Sequence, residues 1–417
     1  MTSTAHPPLD HRLRRMVGRD PEEQHRAATP LELLYDLTLV VAFSQAGSQA
    51  AHLLGIGSFG PALLAFCLAI FAICWAWINY SWLASAFDND DVFVRIATMV
   101  QMLGVLVLAL GLPPLFHSIE EGAHVENGIM IAGYVVMRVS TIALWLRVAR
   151  HDPRYRRTAL RYAGLLGIVQ IAWIVQIVVY PPFGVAIWLM VLFGAAEMLV
   201  PLLAERRGGT TPWHPHHIAE RYSLLVIITL GEIVLGTILA ISAVVEEQGW
   251  SADAVIVAFG GVLLAFGLWW SYFTMPSGTL LARFPRRSFV WGYGHMIVFG
   301  SLAASGAGLH VAANAIAGDV AISELAALAT VVVPVAVFLT MLFALYSFLL
   351  GRFDPFHIGL YLGSLVVLAL AVAAVAAGAS LPVGILIAAL APLVVVIGYE
   401  TVGHRHQRRA LEESLGR

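Results

Sequence analysis

The sequence predicts an all-α, polytopic integral membrane protein with about twelve transmembrane helices, and three observations predict it. The first is composition. Of 417 residues, 59% are hydrophobic and 12% charged, with a mean hydropathy of +0.81. A soluble domain carries roughly a quarter charged residues, so this chain cannot clothe a water-facing surface and needs lipid. The second is a series of twelve stretches, each near the ~20 apolar residues that a spanning helix requires. The third is the sorting of arginine to alternate connections.

The twelve stretches are approximately 30–52, 59–86, 92–116, 128–148, 159–180, 183–203, 218–244, 254–275, 289–314, 323–350, 357–377 and 382–402. Breaker residues punctuate them: Pro181-Pro182, Gly208-Gly209, Pro276 with Gly278, and Asp354-Pro355. None shows the alternating polarity of a membrane strand. Pro334 and Pro392 fall inside stretches, where each removes a backbone hydrogen bond and predicts a kink. Gly300, Ala304 and Gly308 form a ridge of small residues suited to close helix packing. Residues 1–29 are polar and Arg-bearing, without the apolar run of a cleaved signal, so the first stretch is expected to serve as the targeting segment.

Twenty-one of the 24 basic residues lie in the tail at 1–29, in the even-numbered connections with their flanks (Arg147 and Arg161 beside the fourth) or in the tail at 403–417. The opposite connections hold only acids: Glu120, Glu121, Glu126, Glu246, Glu247, Asp253 and Asp319. The positive-inside rule then puts the arginine side, with both termini, in the cytoplasm of a cell membrane. A wrong helix count would scramble this sorting. The expected organisation is a cytoplasmic tail at 1–29, a six-helix half at 30–203, a cytoplasmic connection at 204–216, a second half at 217–402 and a cytoplasmic tail at 403–417.

The halves echo one another. Tyr35 precedes Gln45 by ten residues as Tyr222 precedes Glu232, and Glu32 and Glu220 stand just before each pair. Trp75, Trp77, Asn79 and Tyr80 of the second stretch correspond to Trp269, Trp270, Tyr272 and Phe273 of the eighth. With six helices per unit, such a 6+6 pseudo-repeat is parallel.

Polar residues at bilayer depth are the candidate site. A charge at the centre costs about 2.5–3.5 kcal/mol on insertion scales, so it is kept when paired, hydrated or useful. Helical rise puts Asp36 ~9 Å in from the arginine side, Gln45 and Glu232 ~21 Å in, and Arg138 near the midplane. Glu32, Arg95, Glu197, Glu220, Arg221 and His295 occupy the arginine-side half. Asp36 or Glu197 with Arg95 or Arg138 are natural partners, and static pairing is as good a reading of these charges as a polar pathway. Glu232 stands out, because an unpaired deep carboxyl favours the protonated form and can carry a proton.

His214, His216 and His217 cluster before the seventh stretch, and Asp90 and Asp91 lie in an acidic turn. Either group could hold a metal, yet Pro215 breaks any helical ligand spacing, and a solvated cap is the plainer reading of the turn. There is no P-loop, dinucleotide fingerprint, nucleophile elbow or HExxH, so no cofactor is expected. Cys67 and Cys74 share one helix face and cannot bridge. Basic residues form no single patch, which speaks against nucleic acid.

Four motifs carry a family resemblance. Leu31-Glu32-Leu33-Leu34-Tyr35-Asp36-Leu37 running to Ala42-Phe43-Ser44-Gln45, Phe87-Asp88-Asn89-Asp90-Asp91 with Arg95, Glu220-Arg221-Tyr222-Ser223-Leu224 with Leu230-Gly231-Glu232, and Gly292-Tyr293-Gly294-His295 together resemble the bacterial low temperature requirement protein A (LtrA) family. Leu34-Tyr35 replaces the usual Phe-Phe, and Ala86 an arginine, without loss of an acidic group. The resemblance implies a polytopic membrane protein and no particular substrate. The reading that follows is a transporter or channel-like protein for a small solute or ion, proton-linked through Glu232, with Asp36 and Gln45 lining the path. The alternatives are an intramembrane lipid- or metal-dependent enzyme using Asp90, Asp91, Arg95, His216, His217 and His295, and a structural or sensory membrane protein without transport.

Overall fold

The computed structural model describes residues 12–415 except 22, 24 and 25. The tail before residue 12 and the terminal Arg417 lie outside the described residues. Twelve long helices follow one another. They are α1 (Pro30–Gly55), α2 (Phe59–Phe87), α3 (Val92–Glu121), α4 (Gly128–His151), α5 (Arg156–Val179), α6 (Phe183–Gly208), α7 (Pro215–Gln248), α8 (Ala252–Phe273), α9 (Ser288–Ile316), α10 (Glu324–Leu350), α11 (Pro355–Ala376) and α12 (Leu381–Arg409). Eleven of them are long and apolar enough to cross a membrane. The exception is α1, whose second half carries Ser44, Gln45, Ser48, Gln49 and His52. Its neighbours explain the tolerance, since α1 packs on α2, α3, α7 and α9 and so has little of its surface left for lipid.

Local chemistry sets the ends. Thr29 and Glu32 close a capping box, with Thr29 N donating to Glu32 Oε2 at 2.8 Å and Glu32 N to Thr29 Oγ1 at 3.2 Å, and Pro30 follows at the first helical position. Asp91 caps α3, His214 α7, Ser251 α8, Ser323 α10 and Asp354 α11.

The interruptions only partly match the proline pattern. α12 breaks between Ala389 and Ala391, beside Pro392, and carries a π turn at Tyr399–Gly403. Pro334 instead sits in an unbroken α10. α3 breaks at Gly111, where a side chain would strike the Met130 backbone, ahead of Pro113 and Pro114. α6 contains Pro201.

All even-numbered connections gather at one end with the two chain tails. Arg14 N donates to Asp91 at 2.9 Å and Gly18 N to Asp152 at 2.8 Å, while Gln407 Nε2 donates to Thr274 O at 2.9 Å. At the other end, Ala321 N donates to Gly55 O at 2.8 Å, and Phe183 N to Ala123 O. The order of neighbours also recurs. α1 packs on α2 and α3 as α7 does on α8 and α9; α3–α4, α4–α5 and α5–α6 recur as α9–α10, α10–α11 and α11–α12. The two sets are not identical. α8 lies closely along α12, whereas α2 meets α6 through Trp75 with Glu197 and the Phe71 ring against Gly194.

The exterior is apolar, with Leu37, Leu63, Ile96, Val178, Trp188 and Phe259 among many exposed large side chains. Lipid removes any penalty for this, and the interior is packed through small residues. The small residues of α9 do not serve one partner, and Gly306 lies off the ridge of Gly300, Ala304 and Gly308. Gly300 faces Ile70 of α2, Gly306 the Glu232 backbone of α7, and Gly308 the Thr330 carbonyl of α10. α9 is accordingly the most enclosed span.

Candidate functional site

The polar residues at depth separate into four groups. The first joins α1 to α7. Arg221 reaches both carboxylates that α1 carries one turn apart, with Nη1 2.9 Å from Glu32 Oε1 and Nη2 bonded to Asp36 Oδ1. Trp77 Nε1 of α2 donates to Asp36 Oδ1 at 2.7 Å, and His217 Nε2 lies 3.3 Å from Glu32. The side chains of Arg221, Glu32, Asp36 and His217 are all fully buried. The guanidinium sits between the Trp77 and Tyr80 rings, 5.8 and 5.7 Å from their centroids. Removing one partner of such a pair strands the other charge, at a typical cost of about 3–5 kcal/mol.

The second group joins α4 to α6. Arg138 Nη2 lies 3.2 Å from Glu197 Oε2 and bonds the Tyr134 hydroxyl. Trp75 Nε1 donates to Glu197 Oε2 at 3.1 Å, and Gln170 Nε2 to Glu197 Oε1 at 2.6 Å. Both Glu197 oxygens are thus committed. Tyr35, fully buried, feels both Arg138 and Arg221 and so stands between these two groups.

The third group surrounds His295. Its Nδ1 lies 2.8 Å from the Trp291 carbonyl and its Nε2 3.1 Å from the Tyr272 hydroxyl. A carbonyl only accepts, so Nδ1 carries a hydrogen, and the Tyr272 hydroxyl can serve Nε2 as donor or acceptor. The imidazole is enclosed by the Tyr222, Trp291 and Phe299 rings.

Glu232 makes the fourth. It is 8% exposed, on α7, with the Ser44 side chain of α1 as its polar neighbour. Its Oε2 lies 3.9 Å from where a Gly47 Cβ would stand, and Gly306 of α9 abuts its backbone. Among the described residues no basic side chain pairs with it. Arg138, the cation expected at that depth, is taken by Glu197. Gln45 is half-buried on the neighbouring stretch of α1, and Glu220 half-buried at the arginine-rich end.

Of the expected partners, then, Glu197 with Arg138 is observed, while Asp36 pairs with Arg221. Arg95 joins neither. It pairs with Asp90 at 2.9 Å, with each side chain about two-fifths exposed. Depth along a helix is readable from sequence, but which way a side chain faces depends on its neighbours. Asp91 is bound by Arg147 and by the backbone N–H groups of Arg14, Phe93 and Val94. Burial alone would raise its carboxyl, but these donors hold it down at about 2. Next to it, burial and the nearby Glu32 carboxylate push Asp88 up to about 6.

The acidic turn therefore anchors the chain entering α1 and caps α3. His214 caps α7, His216 is exposed and His217 belongs to Glu32. Asp90 and Arg95 pair with each other, Asp91, His217 and His295 have other partners, and no group of three metal-ligating side chains occurs among the described residues. Sequence reading passed over Gln170, Tyr134 and Glu205, which carry no motif and become visible only through their contacts.

A family model described as bacterial low temperature requirement A protein (LtrA) matches residues 27–395. An uncharacterized protein of Rhizobium meliloti (strain 1021) is 28% identical over 266 residues, covering 62% of this chain and 60% of that protein. The chain thus spans about three-fifths of the length of that curated relative. No solved structure matches.

Proposed function

Because the chain belongs to the bacterial low temperature requirement A family, a family of multispanning membrane proteins, we propose that it moves a small solute or ion across the cell membrane in a proton-linked cycle, with Glu232 as the proton carrier. The observation that carries this reading is the isolation of Glu232. Glu32, Asp36 and Glu197 are each bound to an arginine, whereas Glu232 has a serine. Holding an uncompensated charge at such depth is costly, so the carboxyl must take up a proton and release it when water or a cationic solute reaches it. Ser44 can accept from the protonated form and donate to the ionised one. Glu232 also sits where α1, α7 and α9 converge on glycines, a place where small helix shifts change its surroundings. The two arginine groups act as a frame, tying α1 to α7 and α4 to α6. The arginine-rich end faces the cytoplasm in this reading.

Purified protein in proteoliposomes, screened for proton-coupled flux of ions and amines, tests it. Glu232→Gln keeps the shape and hydrogen-bonding capacity and is expected to abolish flux while leaving thermal unfolding unchanged. Undiminished flux in this variant removes Glu232 from the mechanism. One observation favours a second reading, a structural or sensory protein without transport: Glu32, Asp36 and Glu197 are each paired with an arginine within the bundle. That reading predicts no flux from the wild type with any of these solutes.

A further inference from the structure

The arginine-rich end opens into a vestibule of about 1680 Å³. At its floor lies a narrow cleft between α2, α4, α5, α6 and α9. Glu205, Thr211 and Phe289 border both spaces. The cleft is walled by rings. Trp145 and Tyr162 stack with centroids 4.1 Å apart and planes 2° from parallel, Trp82 stacks on Phe289 at 6.2 Å, and Tyr293 meets Phe289 edge-on. Glu205 is the cleft's single charged group. Its Oε1 accepts from the Tyr162 hydroxyl at 3.0 Å and the Thr211 hydroxyl at 2.8 Å. Among the described residues no arginine pairs with it, although four arginines line the wider vestibule. Arg19 is engaged by Glu23 at 2.7 Å, and Arg26 donates to Ala84 O at 2.8 Å.

We propose that the mouth of this cleft, between Glu205 and the rings of Trp82 and Phe289, binds a small alkylammonium cation. A carboxylate without a cation supplies the charge, and aromatic faces attract a cation through their quadrupoles. Rings suit a weakly hydrated organic cation. A sodium or magnesium ion needs several oxygen ligands, and the cleft offers one carboxylate. An anion would meet Glu205 at the point where the rings converge. The cleft also leads inward. Asn79 lines it and donates to the Trp75 carbonyl at 2.8 Å, and the indole of Trp75 binds Glu197. The proposal requires binding only, on a different helix from Glu232, so it and the transport reading can fail separately.

The probe is tetramethylammonium chloride, titrated calorimetrically into the full chain in detergent or nanodiscs. Sodium chloride and uncharged tert-butanol, similar in shape, serve as comparisons. Saturable heat from tetramethylammonium alone is expected. Glu205→Gln, which preserves an oxygen for Tyr162 and Thr211, is expected to weaken binding about tenfold or more, and Phe289→Leu about three- to fivefold. Absence of saturable binding by the wild type overturns the proposal, as does equal binding of tert-butanol. Unchanged affinity in both variants does the same. Should Glu205→Gln not fold, Phe289→Leu and the tert-butanol comparison decide alone.

Discussion

Glu32 does two jobs with one carboxylate. It closes the capping box on Thr29 and neutralises Arg221. The first is a contact between near neighbours, in a Thr-Pro-Leu-Glu helix start. The second was not legible in the sequence, because Arg221 lies far along the chain and nothing in either segment names the other. Asp88 and Asp91 make the same point at the surface. Three residues apart, they are held at about 6 and about 2 by burial near another carboxylate in one case and by Arg147 in the other. Between its ordinary value near 3.8 and about 6, the folded chain keeps a proton on Asp88 that the unfolded chain has released. The stability this contributes is present below about pH 4 and lost as the pH rises through 6. Asp88→Asn retains an oxygen for the Asp90 amide. It is therefore predicted to match the wild type near pH 4 and to exceed it by about 1–3 kcal/mol at pH 7. Denaturation of both proteins at the two pH values measures this, and a pH-independent difference refutes it.

Among the elements, α6 and α9 show how packing assigns roles to a helix. Glu197, Pro201 and Glu205 stand four residues apart and share a face of α6, yet one carboxylate is locked by Arg138 and the other borders the vestibule. Proline withholds the amide that would bond the Glu197 carbonyl, and in the next turn position Tyr293 donates to the Met198 carbonyl at 3.1 Å. On α9, the ridge of Gly300, Ala304 and Gly308 was legible as a packing surface, but its division between α2 and α10, and the seat of Gly306 against α7, were not. Gly308 permits the closest approach, since a Cβ there would lie 2.2 Å from the Thr330 carbonyl oxygen. Gly308→Ala must push α9 and α10 apart and is predicted to cost about 1–3 kcal/mol. Gly231→Ala, with nothing within 4 Å of the new methyl, should be neutral or stabilising by up to about 1 kcal/mol. Thermal unfolding of the pair distinguishes a packing role from general helix propensity, and equal shifts would contradict it.

For the whole molecule, arginine sorting predicts which end faces the cytoplasm. Arg154 and Trp250 are exposed at opposite ends, and Cys67 is the exposed native thiol while Cys74 is buried. In a Cys67→Ser background, Trp250→Cys should react with an impermeant maleimide in intact cells, and Arg154→Cys only after permeabilisation. The reverse pattern would invert the orientation. The helix count, the helix limits to within a few residues, and part of the list of polar residues at depth were contained in the sequence, because hydropathy and turn chemistry act locally and a bilayer imposes one length on every span. Which carboxylate meets which arginine was decided only by tertiary structure. Arg138 could have answered Asp36, Glu197 or Glu232 on depth alone. It answers Glu197 because the packing of α4 against α5 and α6 turns it that way, and Glu232 is left with a serine. Side-chain azimuth and helix neighbourhood are collective properties of the bundle, and a one-dimensional pattern carries depth without them.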